Sequence, residues 1–339
     1  MQINWSYSTI NTLRKCERQF AFAKVVADHN FKNSLRRKAY ELKQMKSLTM
    51  WSGSVVDYVM ESRIVPLLKQ KQRLNVATLA DQAVSLAHDQ FDFSKQQKYR
   101  DPNITKSKAG EVYCIIQNHE LGQPVAEADL QEAYDTIHQS ILNLPLIEMP
   151  SGNQSMLEYL HYAQVLIPNM MGWSFSVESA KVSPQIDLVV YDQGYRPSII
   201  DWKVSDSPTS DYARQLVVCG LALYNRRLAN SAKKPYQYED IHLYEINLWK
   251  GHVKEHAFTA ERANAAIDYI YQTYGDVELL VGTRTFDQID IGEFDLSDND
   301  VICQFCAFRA LCVYMLNNNL MYDEQKYSES LQNWQLENP

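Results

Sequence analysis

The chain has 339 residues, 45% of them apolar and 22% charged, with a net charge of −8. That composition is ordinary for a soluble globular protein, and the acidic balance argues against a chain coated in nucleic acid. No apolar run approaches the roughly 20 residues that a bilayer crossing needs. The first residues lack a basic leader followed by an apolar stretch, so a cytoplasmic location is expected. The length calls for one core with a large insertion, or for two lobes.

In chain order, residues 6–27 read as a helix, with Ser8 or Thr9 as cap and Ile10, Leu13, Phe20 and Val25 as apolar positions. The stretch 14–46 holds ten basic side chains against three acidic ones. Such a local patch can track phosphates even on an acidic protein. A second helix is expected over 51–70, opened by Trp51-Ser52-Gly53. From about 71 to 150 the chain is polar and helix-like, broken at Asp101-Pro102-Asn103, Gly122-Gln123-Pro124 and Pro145. It reads as a helical lobe in which Lys95, Lys98, Arg100, Lys106 and Lys108 could line a channel. Between 157 and 205 the character turns to β, with short runs of Val, Ile, Tyr and Phe. Residues 211–229 form an amphipathic helix (Tyr212, Leu216, Val217, Leu221, Leu223, Tyr224). A strand from Ile241 to Leu248, a turn at Trp249-Lys250-Gly251-His252 and a return strand around Val253–Phe258 follow. Residues 260–281 are again helical, and the last 25 or so, rich in Asn, Gln and Glu, suit a surface helix or frayed tail.

The chemistry concentrates between Asp187 and Lys203. There Ile186-Asp187-Leu188-Val189-Val190-Tyr191, a turn-rich segment from Asp192 to Pro197, and Ile199-Ile200-Asp201-Trp202-Lys203 suggest a hairpin. Side chains alternate along a strand, so Asp201 and Lys203 share a face and Trp202 takes the other. Pairing can bring the Asp187 carboxylate beside Asp201, with Lys203 at the rim. Two hard carboxylates suit Mg²⁺ or Mn²⁺, and the lysine can hold or help deprotonate an attacking water. The alternative is an ordinary hairpin with three solvated charges.

Six cysteines are present, three of them within Cys303-Gln304-Phe305-Cys306-Ala307-Phe308-Arg309-Ala310-Leu311-Cys312. In a chain expected to be cytoplasmic, that spacing argues for metal rather than disulfides. Three thiolates are one ligand short of a closed zinc site or a four-cysteine iron–sulfur cluster. The fourth ligand comes from Cys16, Cys114, Cys219 or a histidine, and spacing does not choose between the two metals.

Together these features resemble the PD-(D/E)XK nuclease superfamily, specifically its RecB-like branch with an iron–sulfur cluster, as in Cas4 and AddB nucleases. The resemblance runs from Ser6-Tyr7-Ser8 through Cys16-Glu17-Arg18-Gln19-Phe20 to the closing C-x₂-C-x-F-R-x₂-C of residues 303–312. It implies a 4Fe–4S cluster on Cys16, Cys303, Cys306 and Cys312, and leaves Cys114 and Cys219 as packed thiols. It implies that Asp187 and Asp201 bind Mg²⁺ or Mn²⁺, that the Trp202 carbonyl can join them, and that Lys203 positions the nucleophile. Gln215-Leu216 falls on the family's Q-L-x-x-Y helix, with Tyr212 one turn earlier. Three departures stand out. Gly53-Ser54-Val55-Val56-Asp57 carries aspartate, with Glu61 one turn on, where the family has a metal-binding histidine. Cys219 replaces the tyrosine of Q-L-x-x-Y, and Ser183-Pro184-Gln185 replaces a glycine before the first core aspartate. A carboxylate can stand in for imidazole at Mg²⁺ or Mn²⁺.

The implied fold is α/β: a mixed central sheet flanked by helices, with a helical insertion and an iron–sulfur staple joining the two end segments. Four regions are expected, at 1–50 (first helix, first cluster cysteine, basic stretch), 51–155 (helical lobe), 156–260 (nuclease core) and 261–339 (cluster cysteines and tail). The implied activity is metal-dependent hydrolysis of DNA, single-stranded or at ends, in repair, CRISPR or defence settings. A catalytically silent subunit that binds DNA or partners, and a zinc-stabilised interaction domain, are the rival readings.

Overall fold

The computed structural model describes residues 3–28, 34–101, 103–150, 154–169, 172–194, 196–205 and 212–317. Lys32 and Pro102 lie outside these residues, as does the expected polar tail from residue 318 onward. The principal elements are α1 (Tyr7–Lys15), α2 (Leu48–Val59), α3 (Val76–Lys95), α4 (Glu127–Leu142), β1 (Val165–Pro168), β2 (Leu188–Tyr191), β3 (Pro197–Lys203), α5 (Tyr212–Leu228), β4 (His242–Asn247), β5 (His252–His256), α6 (Ala260–Leu280) and α7 (Arg309–Asn317). The chain divides into two compact units, one of residues 46–176 and 183–268, the other of residues 1–45, 177–182 and 269–339.

The larger unit is built on a five-stranded sheet in the order β1-β2-β3-β4-β5. The hairpin expected from the sequence is present, with β2 antiparallel to β3 and Leu188 opposite Ile200. All neighbours run antiparallel except β3 and β4, which are parallel with Asp201 beside Glu245. A parallel pair needs a crossover, and the α5 helix supplies it. The sheet is therefore mixed, flanked by helices.

One sheet face (Leu188, Val190, Ile200, Trp202, Tyr244, Ile246) shares a buried core with Trp51, Val55 and Val59 of α2, Leu86 of α3, and Ile137 and Ile141 of α4. The helices from the polar 71–150 stretch thus bury their apolar stripes against each other and α2, in the core that this sheet face shares. Ser47 caps α2 by accepting from the Met50 N–H at 3.2 Å, so the second helix starts three residues earlier than 51 and runs on through a wider turn at Met60–Ile64 to Lys69. The two-residue strand Ile115–Ile116 inside the polar stretch is too short to leave a period in the sequence. On the other face lies α5. It comes close there because Gly220 has no side chain: a Cβ at that position would meet the Phe258 ring at 3.0 Å.

The smaller unit corrects the first helix. Ser6, not Ser8 or Thr9, is its cap. The helix stops at Lys15 because Cys16 is extended (φ −166°) and its sulfur accepts from the Gln19 N–H at 3.4 Å, capping a new turn at Glu17–Phe20. Behind that break, Phe20 packs on Phe294 and Phe22 stacks on Phe308 with ring centres 5.4 Å apart. Trp5 bridges to Val182 and donates its indole N–H to Thr273 Oγ1 at 2.9 Å. Much of the basic stretch is spent internally. Arg18 is buried and donates twice to the Phe294 carbonyl, at 3.1 and 2.9 Å. Lys38 is buried, Arg36 pairs with Asp28, and Arg37 pairs with Glu41.

Candidate active site

Three acids lie around the carboxyl end of β3, all within the larger unit. Asp187 stands one step before β2, opposite Asp201 in the register that sets Leu188 against Ile200. Its Oδ2 accepts the Trp202 backbone N–H at 3.1 Å. Asp201 is 4% exposed; its Oδ1 accepts from Gln215 Nε2 of α5 at 3.3 Å. The Lys203 ammonium lies 2.5 Å from Asp201 Oδ2 and 5.3 Å from the centre of the Tyr212 ring. Apart from that ion pair, Asp201 Oδ2 has no hydrogen-bond partner among the described residues.

The third acid arrives from the opposite side of the sheet. Gly53 lets α2 approach the strand end, since a Cβ there would meet Val204 Cγ2 at 3.3 Å. One turn on, Asp57 Oδ1 accepts the Trp202 indole N–H at 2.9 Å. Trp202 does face away from Asp201, as alternation requires, and its ring is what reaches Asp57. Next along the helix, Glu61 accepts from Asn169 Nδ2 at 3.0 Å. All of the catalytic and divalent-metal positions singled out in the sequence (Asp57, Asp187, Asp201, Trp202, Lys203, Gln215) are thus brought into one neighbourhood.

Electrostatics follow from burial. Desolvation, then Asp201, pushes the Asp187 carboxyl well above the usual range. Burial also raises Asp201, with Lys203 opposing and Glu245 reinforcing the rise. Asp57 is pushed up to about 6, chiefly by burial, with Lys203 and the Trp202 indole pulling the other way. Burial works to lower Lys203, but Asp201 and Asp187 outweigh it and hold the ammonium above its ordinary value. Lys203 is thus the cation ion-paired with this buried acidic set, Lys46 also lies within electrostatic reach of Asp57, and carboxylate oxygens suit a hard divalent cation. No group of three or more His, Cys, Asp or Glu side chains among the described residues is gathered closely enough to hold a metal.

This charge imbalance gives a testable pH dependence. Each of the three folded-state pKa values lies above the unfolded one. Their contribution to stability is thus complete below the ordinary carboxylate pKa and lost as pH rises through the folded value. In EDTA, the melting temperature should fall between about pH 4 and about pH 7. Asp187→Asn, which keeps an acceptor for the Trp202 N–H, should flatten that fall and raise the metal-free melting point at neutral pH. A wild-type profile as flat as the variant's would refute the account.

Two features escaped the sequence reading. The Trp202–Asp57 hydrogen bond links residues 145 positions apart, and nothing local announces it. Glu245 lies beside Asp201 on the same sheet face, and its Oε2 is 2.7 Å from Nε2 of the buried His256. The signal for it was an acid inside the apolar strand Ile241–Leu248.

The cysteines sit in the smaller unit. Cys16, Cys303, Cys306 and Cys312 are half-buried. Cys306 is pushed up to about 11 by burial, with the other three thiols adding to the rise. Burial raises Cys312 as well, while Arg18 draws it down. Four thiols within mutual electrostatic reach, beside a buried guanidinium, are a donor set suited to a thiophilic centre, although they are not drawn to ligand spacing. Cys114 and Cys219 are buried elsewhere; Cys219 donates to the Gln185 carbonyl at 3.6 Å.

A family model described as the PD-(D/E)XK nuclease superfamily matches residues 4–313, and the chain belongs to that superfamily. Its members are generally metal-dependent nucleases. Comparison with curated proteins finds no match. No helix among the described residues is long and apolar enough to cross a membrane.

Proposed function

We propose that this member of the superfamily is a Mg²⁺- or Mn²⁺-dependent deoxyribonuclease of the RecB-like, Cas4-like type. It acts as an exonuclease on single-stranded DNA or DNA ends and carries a structural 4Fe–4S cluster on Cys16, Cys303, Cys306 and Cys312. The observation that carries the reading is the desolvated Asp57, Asp187 and Asp201 trio, with Lys203 ion-paired to the buried Asp201 carboxylate. Three buried carboxylates exceed the charge that one paired lysine offsets, and that excess is costly unless something more positive binds there.

Asp57, Asp187 and Asp201, with the Trp202 carbonyl, would hold the divalent ion. Bound there, it would polarise the scissile phosphate and lower the pKa of the attacking water. Lys203 positions that water and shares the negative charge of the phosphate. Gln215 fixes the Asp201 carboxylate from α5, and the Trp202 indole fixes Asp57 from the strand. Burial of the carboxylates strengthens each of these interactions. The setting that fits is a cytoplasmic DNA-repair, CRISPR or phage-defence complex with protein partners.

The test is cleavage of end-labelled DNA by purified protein with Mg²⁺ or Mn²⁺, stopped by EDTA. DNA binding without cutting at any divalent metal would select the rival, an inactive subunit that uses the fold for binding or assembly. The Asp57 substitution for the family histidine gives a second check. Asp57→Asn should cost about 10- to 100-fold in metal affinity, on the scale of losing a supporting ligand. Asp57→His should recover activity with a shift of preference toward Mn²⁺, because imidazole suits that ion better than Mg²⁺. Equal metal titrations for all three proteins would remove Asp57 from the ligand set.

A further inference from the structure

The far end of α5 carries charge that the catalytic centre does not use. Gln215, Cys219, Ala222 and Arg226 follow i, i+4, i+7 and i+11 spacing, one stripe along the helix. Cys219 and Ala222 are buried, so Gln215, which touches Asp201, and the exposed Arg226 mark two ends of α5 about 16 Å apart along its axis. Its guanidinium lies 4.6 Å from the centre of the buried Trp173 ring. Arg227 lies 4.4 Å from the Tyr236 ring centre, and its Nε donates to the Lys234 carbonyl at 2.7 Å. Lys233 and Lys234 follow in the exposed loop.

Two properties separate this patch from ordinary surface charge. Neither arginine forms an ion pair with a carboxylate among the described residues. Each guanidinium is also held against an aromatic face, which fixes its plane and leaves edge N–H groups for an acceptor outside the chain. One cation in the last turn would satisfy the helix dipole. Two stacked arginines followed by two exposed lysines exceed that need, and guanidiniums held in place with N–H edges left over are what phosphate oxygens recognise.

We propose that Arg226 and Arg227, aided by Lys233 and Lys234, form a phosphate-binding subsite that grips the substrate backbone away from the point of cleavage. The proposal rests on the nuclease reading and adds to it a second, sequence-independent contact. At the axial spacing of about 3.4 Å per phosphate on one strand, 16 Å corresponds to roughly five nucleotides. Shorter oligonucleotides reach only the carboxylates, and longer ones engage both sites.

The test uses the full chain in EDTA, with a fluorescent oligonucleotide of roughly 20 nucleotides titrated across a salt series by anisotropy. Arg226→Ala/Arg227→Ala should raise Kd about tenfold or more and lower the slope of log Kd against log salt by about 1.5, as expected for two lost phosphate contacts. Lys233→Ala/Lys234→Ala, whose side chains stack on no ring among the described residues, should lower the slope without changing the melting temperature. In the cleavage assay, the arginine double variant should raise KM for the long substrate and leave a trinucleotide unaffected. Unchanged slopes in both variants overturn the proposal, as does a wild type that binds no DNA. Wild type that binds with the expected slope change but never cleaves sinks the nuclease reading and leaves this one standing. Intact cleavage with unchanged slopes does the reverse.

Discussion

Asp201→Asn and Lys203→Ala are each expected to lower DNA cleavage on the order of 10³-fold or more while the protein stays folded. The two losses arise differently, and stability separates them. Asp201 is 4% exposed and pushed toward its neutral form by burial. The amide keeps the shape of the carboxylate and removes one of three buried negative charges, so metal-free Asp201→Asn should melt at or above the wild type. Lys203 forms the trio's ion pair, with Asp201, among the described residues. Its removal leaves the acids facing one another and should cost roughly 3–5 kcal/mol in EDTA, the scale for breaking a buried pair. Divalent metal should restore part of that loss in Lys203→Ala, because a bound ion takes over the missing positive charge. Cleavage rates and melting curves with and without Mn²⁺ read both effects. If both variants cut DNA like the wild type, the site is misassigned.

The second large effect concerns the thiols. Cys16 and Cys303 are separated by most of the chain, so a cluster spanning them closes a very long loop. By the chain-entropy argument, a crosslink of that span is worth about 5 kcal/mol. Cys303→Ser or Cys306→Ser should therefore yield colourless, iron-poor protein whose smaller unit is cut early in limited proteolysis. The larger unit has its own core and should resist longer. Anaerobically purified wild type should be brown and contain about four irons per chain. Zinc in place of iron, or proteolysis unaltered by the serine variants, would remove the cluster from the account. Arg18 should matter beside it, since its buried guanidinium draws the Cys312 thiol toward its charged form.

How much of this was legible in the sequence depends on how local each feature is. The β2–β3 hairpin was readable because β-branched runs flank a turn-rich segment, and the register that follows sets Asp187 against Asp201. The second, fifth and sixth helices and the β4–β5 return also followed from periodicity. The first helix misled because Cys16 interrupts an otherwise continuous pattern by capping the turn after it. Periodicity carries no sign of a side chain accepting from the backbone three residues on. The basic stretch misled for a related reason. Arg18 and Lys38 are buried rather than presented to solvent, which composition cannot distinguish. The approach of Asp57 to the strand pair came from resemblance to a family helix. Its physical cause, Gly53 against Val204 and an indole N–H across the sheet, needs three dimensions.

Trp202 carries two duties of unequal tolerance. Its backbone N–H holds Asp187, and its indole N–H holds Asp57. The first bond survives any substitution except proline, which has no N–H to give; the second exists only with a donor of that reach. Mutational drift at this one position can therefore release one acid while leaving the other in place. A lineage could in that way change the setting of one acid gradually, through an uncharged side chain.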